Sequence, residues 1–338
     1  MRGVSALLLP GAAAARSAGV VVGVLADAAF GDPRRGHPVA LFGQVAASLE
    51  SALYRPARRR GVVHTAVLVG ACAAAGATAE RCARSRPAVR VAVTAVATWT
   101  ALGKRSLASA GAAMVDALER GDLGAARLQL GHLCARSPDG LDEPALARAT
   151  VESLAENTSD AVVAPLLWAA VGGAPGVLAY RAANTLDAMV GYRSPRYRRF
   201  GWAAARLDDV LNLAPARLTG LLTVVAAPVV GGSVGHAWRV FRRDASAHPS
   251  PNAGRCEAAA AGALGVRLGG VNVYEGHEER RPSLGDGPPP ASGDIRRAVH
   301  LTRVVGAAAT VLAAVGPPVA AVAVPALVRR VRRAGGGR

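Results

Sequence analysis

VESLAENTSDAVVAPLLWAAVGGAPGVLAY, residues 151–180, sets three acids directly ahead of a long apolar run. Read as a helix, Glu152, Glu156 and Asp160 fall four residues apart, so their carboxylates stack on one face. Like charges arranged in this way repel unless something positive sits among them. The run behind them, Ala161–Tyr180, approaches the roughly 20 apolar residues that cross a bilayer. Its middle reads Gly172-Gly173-Ala174-Pro175-Gly176, and no helix passes smoothly through that, because proline removes a donor and glycine adds no stiffness. In lipid a broken helix survives only where protein or a polar cavity covers the freed backbone. The stretch predicts a re-entrant or broken helix pair at 161–180, with a kinked single crossing as the alternative.

The rest of the chain agrees with a membrane reading. Of its 338 residues 51% are hydrophobic, 19% charged and 4% aromatic, with a mean hydropathy of +0.26. A soluble domain carries about 25% charged residues. More telling is the distribution: Val62–Ala79, Val91–Gly103, Leu218–Gly232 and Val304–Val328 are uncharged or nearly uncharged blocks between Arg-rich loops, and Val20–Phe30 is a weaker one. The expectation is an all-α, polytopic integral membrane protein with about four to six spanning helices besides the broken pair. A soluble, Ala-rich helical protein is the rival. The N-terminus is not a clean secretory signal, since Arg16 interrupts its apolar part.

The net charge of +17 would suggest nucleic acid in a soluble protein. Here the arginines gather at block ends, in RPARRR (55–60), RYRRF (196–200) and VRRVRRAGGGR (328–338). That suits positive-inside orientation and anionic headgroups of a lipid bilayer. Aromatic residues are too few to stack bases, so no nucleic-acid partner is expected. Cys72, Cys82, Cys134 and Cys256 form no C-x-x-C pair, and the sequence holds neither H-E-x-x-H nor a Walker A loop. Between Lys104 and about Ala149 the pattern is amphipathic, predicting short helices with a turn at Ser137–Gly140 and a helix start at Asp142-Glu143-Pro144.

Polar residues concentrate in three islands, Glu152–Asp160, Asn184–Asn212 and Ser250–Asp286. Asn184 and Asp187 are one turn apart, and Asp208 and Asn212 share a helical face. The turn Ser250-Pro-Asn252-Ala-Gly254 opens an Ala-rich helix with Glu257 in its first turn, and Gly269, Gly270 and Asn272 are read as its end. Helix-start N–H groups can hold an anion, although an acid there is ordinarily a cap. Ionisable groups at or within spans are usually paired or functional. Carboxylates with amides suit Mg²⁺, and Arg206 with the Arg193–Arg199 run suits phosphate or carboxylate oxygens. Two chemistries fit: Mg²⁺-assisted transfer from a phosphorylated donor, as in membrane prenyltransferases, and ATP-dependent activation of a carboxylate for attack by an amine. A transporter is a third reading, because broken helices and embedded carboxylates also mark carriers, but no inverted repeat is visible.

The blocks GDPRRGHPVALFG, ESLAENTSDAVVAPLLWAAVGGAPG, ANTLDAMVGYRSPRYRRFGWAAARLDDVLNLAPARLTGL and SPNAGRCEAAAAGALGVRLGGVNVYEG resemble the signature blocks of the cobalamin biosynthesis protein CobD/CbiB family, the adenosylcobinamide-phosphate synthases. The resemblance runs from about residue 24 to 305, leaving a basic tail at 329–338, and implies one membrane-embedded domain over 1–338. It departs at Ala161, where a glycine is expected. It implies a multi-pass cell-membrane ligase, its active site facing the cytoplasm, that joins adenosylcobyric acid to (R)-1-amino-2-propanol or its O-phosphate in corrin (vitamin B12) synthesis. ATP and Mg²⁺ are the implied cofactors, and other corrin-pathway enzymes the implied partners.

A propionate anion is a poor electrophile; its activation would need phosphates shielded by Mg²⁺ and a neutral attacking amine. On that reading Glu152, Glu156, Asp160, Asp187, Asp208 and Asp209 supply metal ligands and the amine's base, with Glu156, Asp160, Asp208 and Asp209 as the Mg²⁺ set. Arg206 and the turn Ser250-Pro-Asn252-Ala-Gly254 contact phosphates, Asn157, Asn184 and Asn252 orient substrate oxygens, and Asn272 completes the substrate-binding set. One substrate approached from one side requires the first two islands on that side, which favours the re-entrant reading of 161–180.

Overall fold

The computed structural model describes residues 10–33, 36–134, 136–192, 194–274 and 277–335, with backbone alone at 10, 271–280 and 318–335. Arg193, part of the basic run, and the end of the basic tail lie outside the described residues. The chain begins with α1 (Pro10–Phe30), α2 (Pro38–Leu53), α3 (Arg58–Cys82), α4 (Pro87–Ala101), α5 (Lys104–Glu119), α6 (Leu123–Leu130) and α7 (Glu143–Thr158). A π-helical turn, Ser159–Val163, leads into α8 (Ala164–Val190). There follow α9 (Tyr197–Phe200), α10 (Trp202–Leu211), α11 (Leu213–Ala226) with a 3₁₀ turn to Val230, α12 (Val234–Asp244) and α13 (Ala253–Leu264). An antiparallel hairpin of β1 (Leu268–Tyr274) and β2 (His277–Leu284) precedes α14 (Ser292–Gly335).

Among the described residues five stretches are long and apolar enough to cross a membrane: Gly11–Phe30, Arg58–Cys82, Glu143–Val190, Leu213–Val230 and Ser292–Pro317. The protein is an all-α, polytopic membrane protein whose only sheet among the described residues is the hairpin. Two expectations need correction. The block Val91–Gly103 is α4, only 15 residues long, too short to span, because the chain leaves the helix at Leu102. The Ala-rich helix stops earlier than expected, at Leu264, where Gly265 adopts φ 71°. Gly269, Gly270 and Asn272 belong to β1, since Val271-Asn-Val-Tyr274 alternates β-branched and aromatic residues as a strand does.

Two compact units emerge, each described by itself. The first comprises Met1–Leu102, Pro165–Ala205 and Ala309–Arg338, the second Gly103–Ala164 and Arg206–Ala308. In the first, α1 lies close against α4. A methyl at Gly19 would fall 2.5 Å from Thr94 Cβ, and one at Gly23 2.7 Å from Thr98 Cβ, the small-residue spacing that lets membrane helices approach. Ala46, Leu68, Leu186, Val190, Phe200 and Ala204 form a buried core around which α2, α3, α8 and α9 pack.

The break foreseen in α8 is real. Gly173 takes φ 63° and ψ −154°, a region open essentially to glycine alone. The bend is sharp: a methyl at Gly176 would lie 2.8 Å from Trp168 O, whereas a straight helix holds residues eight apart at roughly 12 Å. The freed backbone groups are met by charged side chains of neighbouring helices. Glu80 Oε1 accepts the Ala174 N–H at 2.8 Å, and Arg16 Nη1 donates to Ala170 O and Val171 O at 3.3 and 3.2 Å. Each charge also complements the helix end it caps.

In the second unit α13 is the central element. Eleven of its residues are buried, all but Arg255, and α7, α11 and α12 surround it. Alanines and glycines make this crowding feasible: a methyl at Gly262 would meet Ala237 Cα at 2.8 Å.

Candidate functional site

The acidic face of α7 turns inward onto α13. Asp142 caps α7 by accepting the Ala145 N–H at 3.0 Å, with Pro144 in the first turn, as the sequence indicated. Glu152 is 3% exposed and fully engaged: Oε2 accepts from Arg136 Nη2 at 2.5 Å, and Oε1 from the Gly269 N–H at 2.7 Å. Arg148 Nη1 donates to Gly269 O. The glycine pair is required here. Both residues have positive φ, 85° and 95°, and a methyl on Gly270 would strike Arg148. Glu152 therefore anchors the hairpin.

The next acid, Glu156, is exposed, and electrostatically it feels Arg281, Glu152 and Arg136. Opposite stands Glu257 of α13, 1% exposed, with neither carboxylate oxygen hydrogen-bonded among the described residues. Its Oε1 lies 3.8 Å from His248 Nε2 and 3.8 Å from Arg281 Nη1. His248 Nδ1 accepts the Ser250 N–H at 3.0 Å, which puts the ring proton of a neutral imidazole on Nε2, toward Glu257. Burial, reinforced by the charges of Glu152 and Glu156, pushes the Glu257 carboxyl well above the usual carboxylate range. Asp160 lies in the π-helical turn, a distortion common at functional sites, and it and Glu156 act electrostatically on Cys256. So Glu152 and Glu156 face a buried glutamate that the sequence offered only as a helix-start acid, while Asp160 acts on the neighbouring Cys256.

The same end of the hairpin is held on its other strand as well. Asp244 Oδ2 accepts the Gly285 N–H at 2.8 Å, and Arg243 bridges Asp244 at 2.6 Å and Asp286 at 2.8 Å. The Arg243 hydrogen bonds hold the Asp244 carboxyl below its ordinary value.

The other predicted residues have contacts of their own. Ser250 Oγ accepts the N–H groups of Asn252 and Ala253 at 3.3 and 3.1 Å, so it caps α13. Gly254 is bare because a methyl there would meet His248 Cβ and Ala245 O. Asn252 Nδ2 donates to Asp209 O at 2.8 Å while its buried Oδ1 has no hydrogen-bond partner. Arg206 and Asp209 form an i,i+3 pair at 3.2 Å, with Arg206 largely exposed. Asp208 is half-buried on α10, and Asn157 Nδ2 donates to Ser153 O at 2.9 Å. Asn272 lies on β1 opposite Glu279. Asn184 and Asp187 belong to the first unit, where Asn184 Oδ1 faces Arg181 Nη1 at 3.4 Å.

Among the described residues no three His, Cys, Asp or Glu side chains converge on a metal position. The expected quartet Glu156, Asp160, Asp208 and Asp209 thus makes no closed cage. The donor chemistry still fits Mg²⁺, which is commonly held by one or two carboxylates and completed by water and substrate phosphates. Glu156 and Glu257 carry hard oxygens of that kind.

Residues 20–302 match the sequence profile of the family described as CobD/Cbib protein. The chain belongs to the CobD/CbiB family. It is 59% identical over 299 residues to the cobalamin biosynthesis protein CobD of Mycobacterium tuberculosis, covering 88% of this chain and 95% of that protein. The CobD of Geobacter metallireducens is 50% identical over 79% of this chain and 86% of its own length. That of Rhodobacter capsulatus is 41% identical over 84% and 92%. No solved structure matches.

Four groups at the CobD/CbiB cluster escaped sequence reasoning: Glu257 as more than a cap, His248, Arg136 and Arg281. Periodicity located Glu257 in a first turn but carried no sign that the whole helix is buried.

Proposed function

We propose that this chain, a CobD/CbiB protein serving cobalamin biosynthesis like the relatives named for it, forms the amide bond between the free propionate of adenosylcobyric acid and (R)-1-amino-2-propanol or its O-phosphate. The observation that carries this reading is Glu257: a buried carboxylate with bare oxygens and raised proton affinity, beside an imidazole and an arginine, next to an open glutamate. An amine attacks only when neutral, and a carboxylate whose proton affinity is lifted toward working pH is a competent acceptor of the ammonium proton. Glu257 takes that proton, and His248, steadied by Ser250, keeps the carboxylate oriented. Arg281 neutralises anionic oxygen on the reacting acid. Glu152 and Arg136 hold the hairpin bearing Arg281 in register.

ATP phosphorylates the propionate oxygen with release of ADP, the neutral amine displaces phosphate from the acyl carbon, and Mg²⁺ held at Glu156 would neutralise phosphate charge, leaving Glu257 to the proton. Membrane helices around α13 keep bulk water from an activated acyl group. The active site opens toward the cytoplasm, where ATP and both substrates reside. Complementation tests the reading: the gene should restore cobalamin-dependent growth to a bacterium lacking its own CobD. The Glu257→Gln form, expressed to the same membrane level, should not. Growth supported equally by both forms would refute the assignment.

A further inference from the structure

Leu178, Arg181 and Thr185 fall at helical spacing on one face of the second arm of α8. With Pro38 of α2, Cys72 of α3 and Thr100 of α4 they help wall a cavity of about 150 Å³ within the first unit. A cavity of that volume accepts a molecule about the size of benzene. The wall is mainly apolar and carries one guanidinium. Among the described residues Arg181 Nε is buried without a hydrogen-bond partner, and its Nη1 makes the long 3.4 Å contact to Asn184. An arginine within a segment apolar enough to span a membrane is costly to desolvate, and such residues ordinarily serve a partner or a ligand. The first turn of α2 forms another part of the wall, adding the positive end of a helix dipole. Thr185 Oγ1 and Thr100 Oγ1 spend their protons on Arg181 O and Ala97 O, at 2.8 and 3.1 Å, and so have lone pairs left to accept.

From this we infer a second binding site, for a small phosphate or carboxylate with a short alkyl body, its oxyanion on Arg181 and its chain along Leu178. A hydroxyl or ammonium on that chain would donate to the threonines. The volume matches a short alkyl body, so the occupant proposed is a soluble metabolite, with a lipid headgroup as the alternative that the nanodisc measurement tests. The inference rests on the first unit alone and is independent of the reaction proposed above.

Cys72 reports occupancy directly. In full-length protein in detergent micelles, propyl phosphate should slow N-ethylmaleimide labelling of half-buried Cys72 saturably, read by peptide mass spectrometry. Exposed Cys82, on the same helix, should label unchanged. Propan-1-ol should protect far less. Arg181→Gln should raise the half-protecting concentration of propyl phosphate roughly tenfold or more, the scale of one charged hydrogen bond. Lack of protection at millimolar propyl phosphate, equal protection by propan-1-ol, unchanged protection in Arg181→Gln, or protection only by phosphatidic acid in nanodiscs would each overturn the inference. If Arg181→Gln does not fold, the wild-type contrast between propyl phosphate and propan-1-ol decides alone.

Discussion

Replacing Glu152 by alanine separates anchoring from chemistry within the acidic face of α7. Glu152 is 3% exposed and Arg136 5% exposed, and they meet at 2.5 Å. Removing one partner of such a pair leaves a buried charge, at a cost of about 3–5 kcal/mol. The same change takes the acceptor from the buried Gly269 N–H, worth about 1–3 kcal/mol more. Against a typical total stability of about 5–15 kcal/mol, Glu152→Ala should therefore unfold or shed the hairpin well below the wild-type transition. Thermal unfolding in detergent micelles, followed by tryptophan fluorescence, reads the effect. A Glu152→Leu, Arg136→Met double variant removes both charges and should recover most of the loss. Glu152→Ala with a wild-type transition but no turnover would refute the reasoning and return Glu152 to a chemical role.

Three further outcomes follow from the same geometry. Glu257→Gln, which keeps shape and removes a charge that burial disfavours, should leave the unfolding transition near wild type and abolish product; retained product would exclude Glu257 as the proton acceptor. Gly173→Ala should cost about 1–3 kcal/mol for the forced backbone alone, besides displacing Glu80 from the elbow, and a wild-type transition in the same thermal scan would contradict it. Asp244 has its carboxyl lowered in the folded state, so its contribution is full above the unfolded value of about 3.9 and disappears as pH falls through the folded value. Asp244→Asn should flatten the acid limb of stability against pH, and an unchanged limb would show that Asp244 does not set it.

Much of this architecture is written locally in the chain. Long apolar blocks mark spans because length and hydropathy are properties of a segment by itself, and Asp142-Glu143-Pro144 starts a helix by local capping. Gly172–Gly176 announced a break because only backbone chemistry is involved. What covers that break, Glu80 and Arg16, comes from helices far along the chain, and no local pattern names them. The same limit explains the site. The four-residue spacing of Glu152, Glu156 and Asp160 gave one face correctly, yet three residues on one face went to different tasks. Glu152 is consumed by Arg136 and Gly269, Glu156 stays open, and Asp160 sits in a π-helical turn that α-helical periodicity does not foresee. Glu257 looked like a capping acid because a surface helix start and a buried one read alike. The hairpin was hidden by Gly269-Gly270, which punctuate a helix end as readily as a bulged strand.

The most direct test of the proposed chemistry is an assay of membranes containing this protein with adenosylcobyric acid, aminopropanol phosphate and Mg²⁺, with and without ATP, read by mass spectrometry. Amide product that appears only with ATP is the predicted result. Absence of product with both aminopropanol and its phosphate, from folded and membrane-inserted protein, would contradict it.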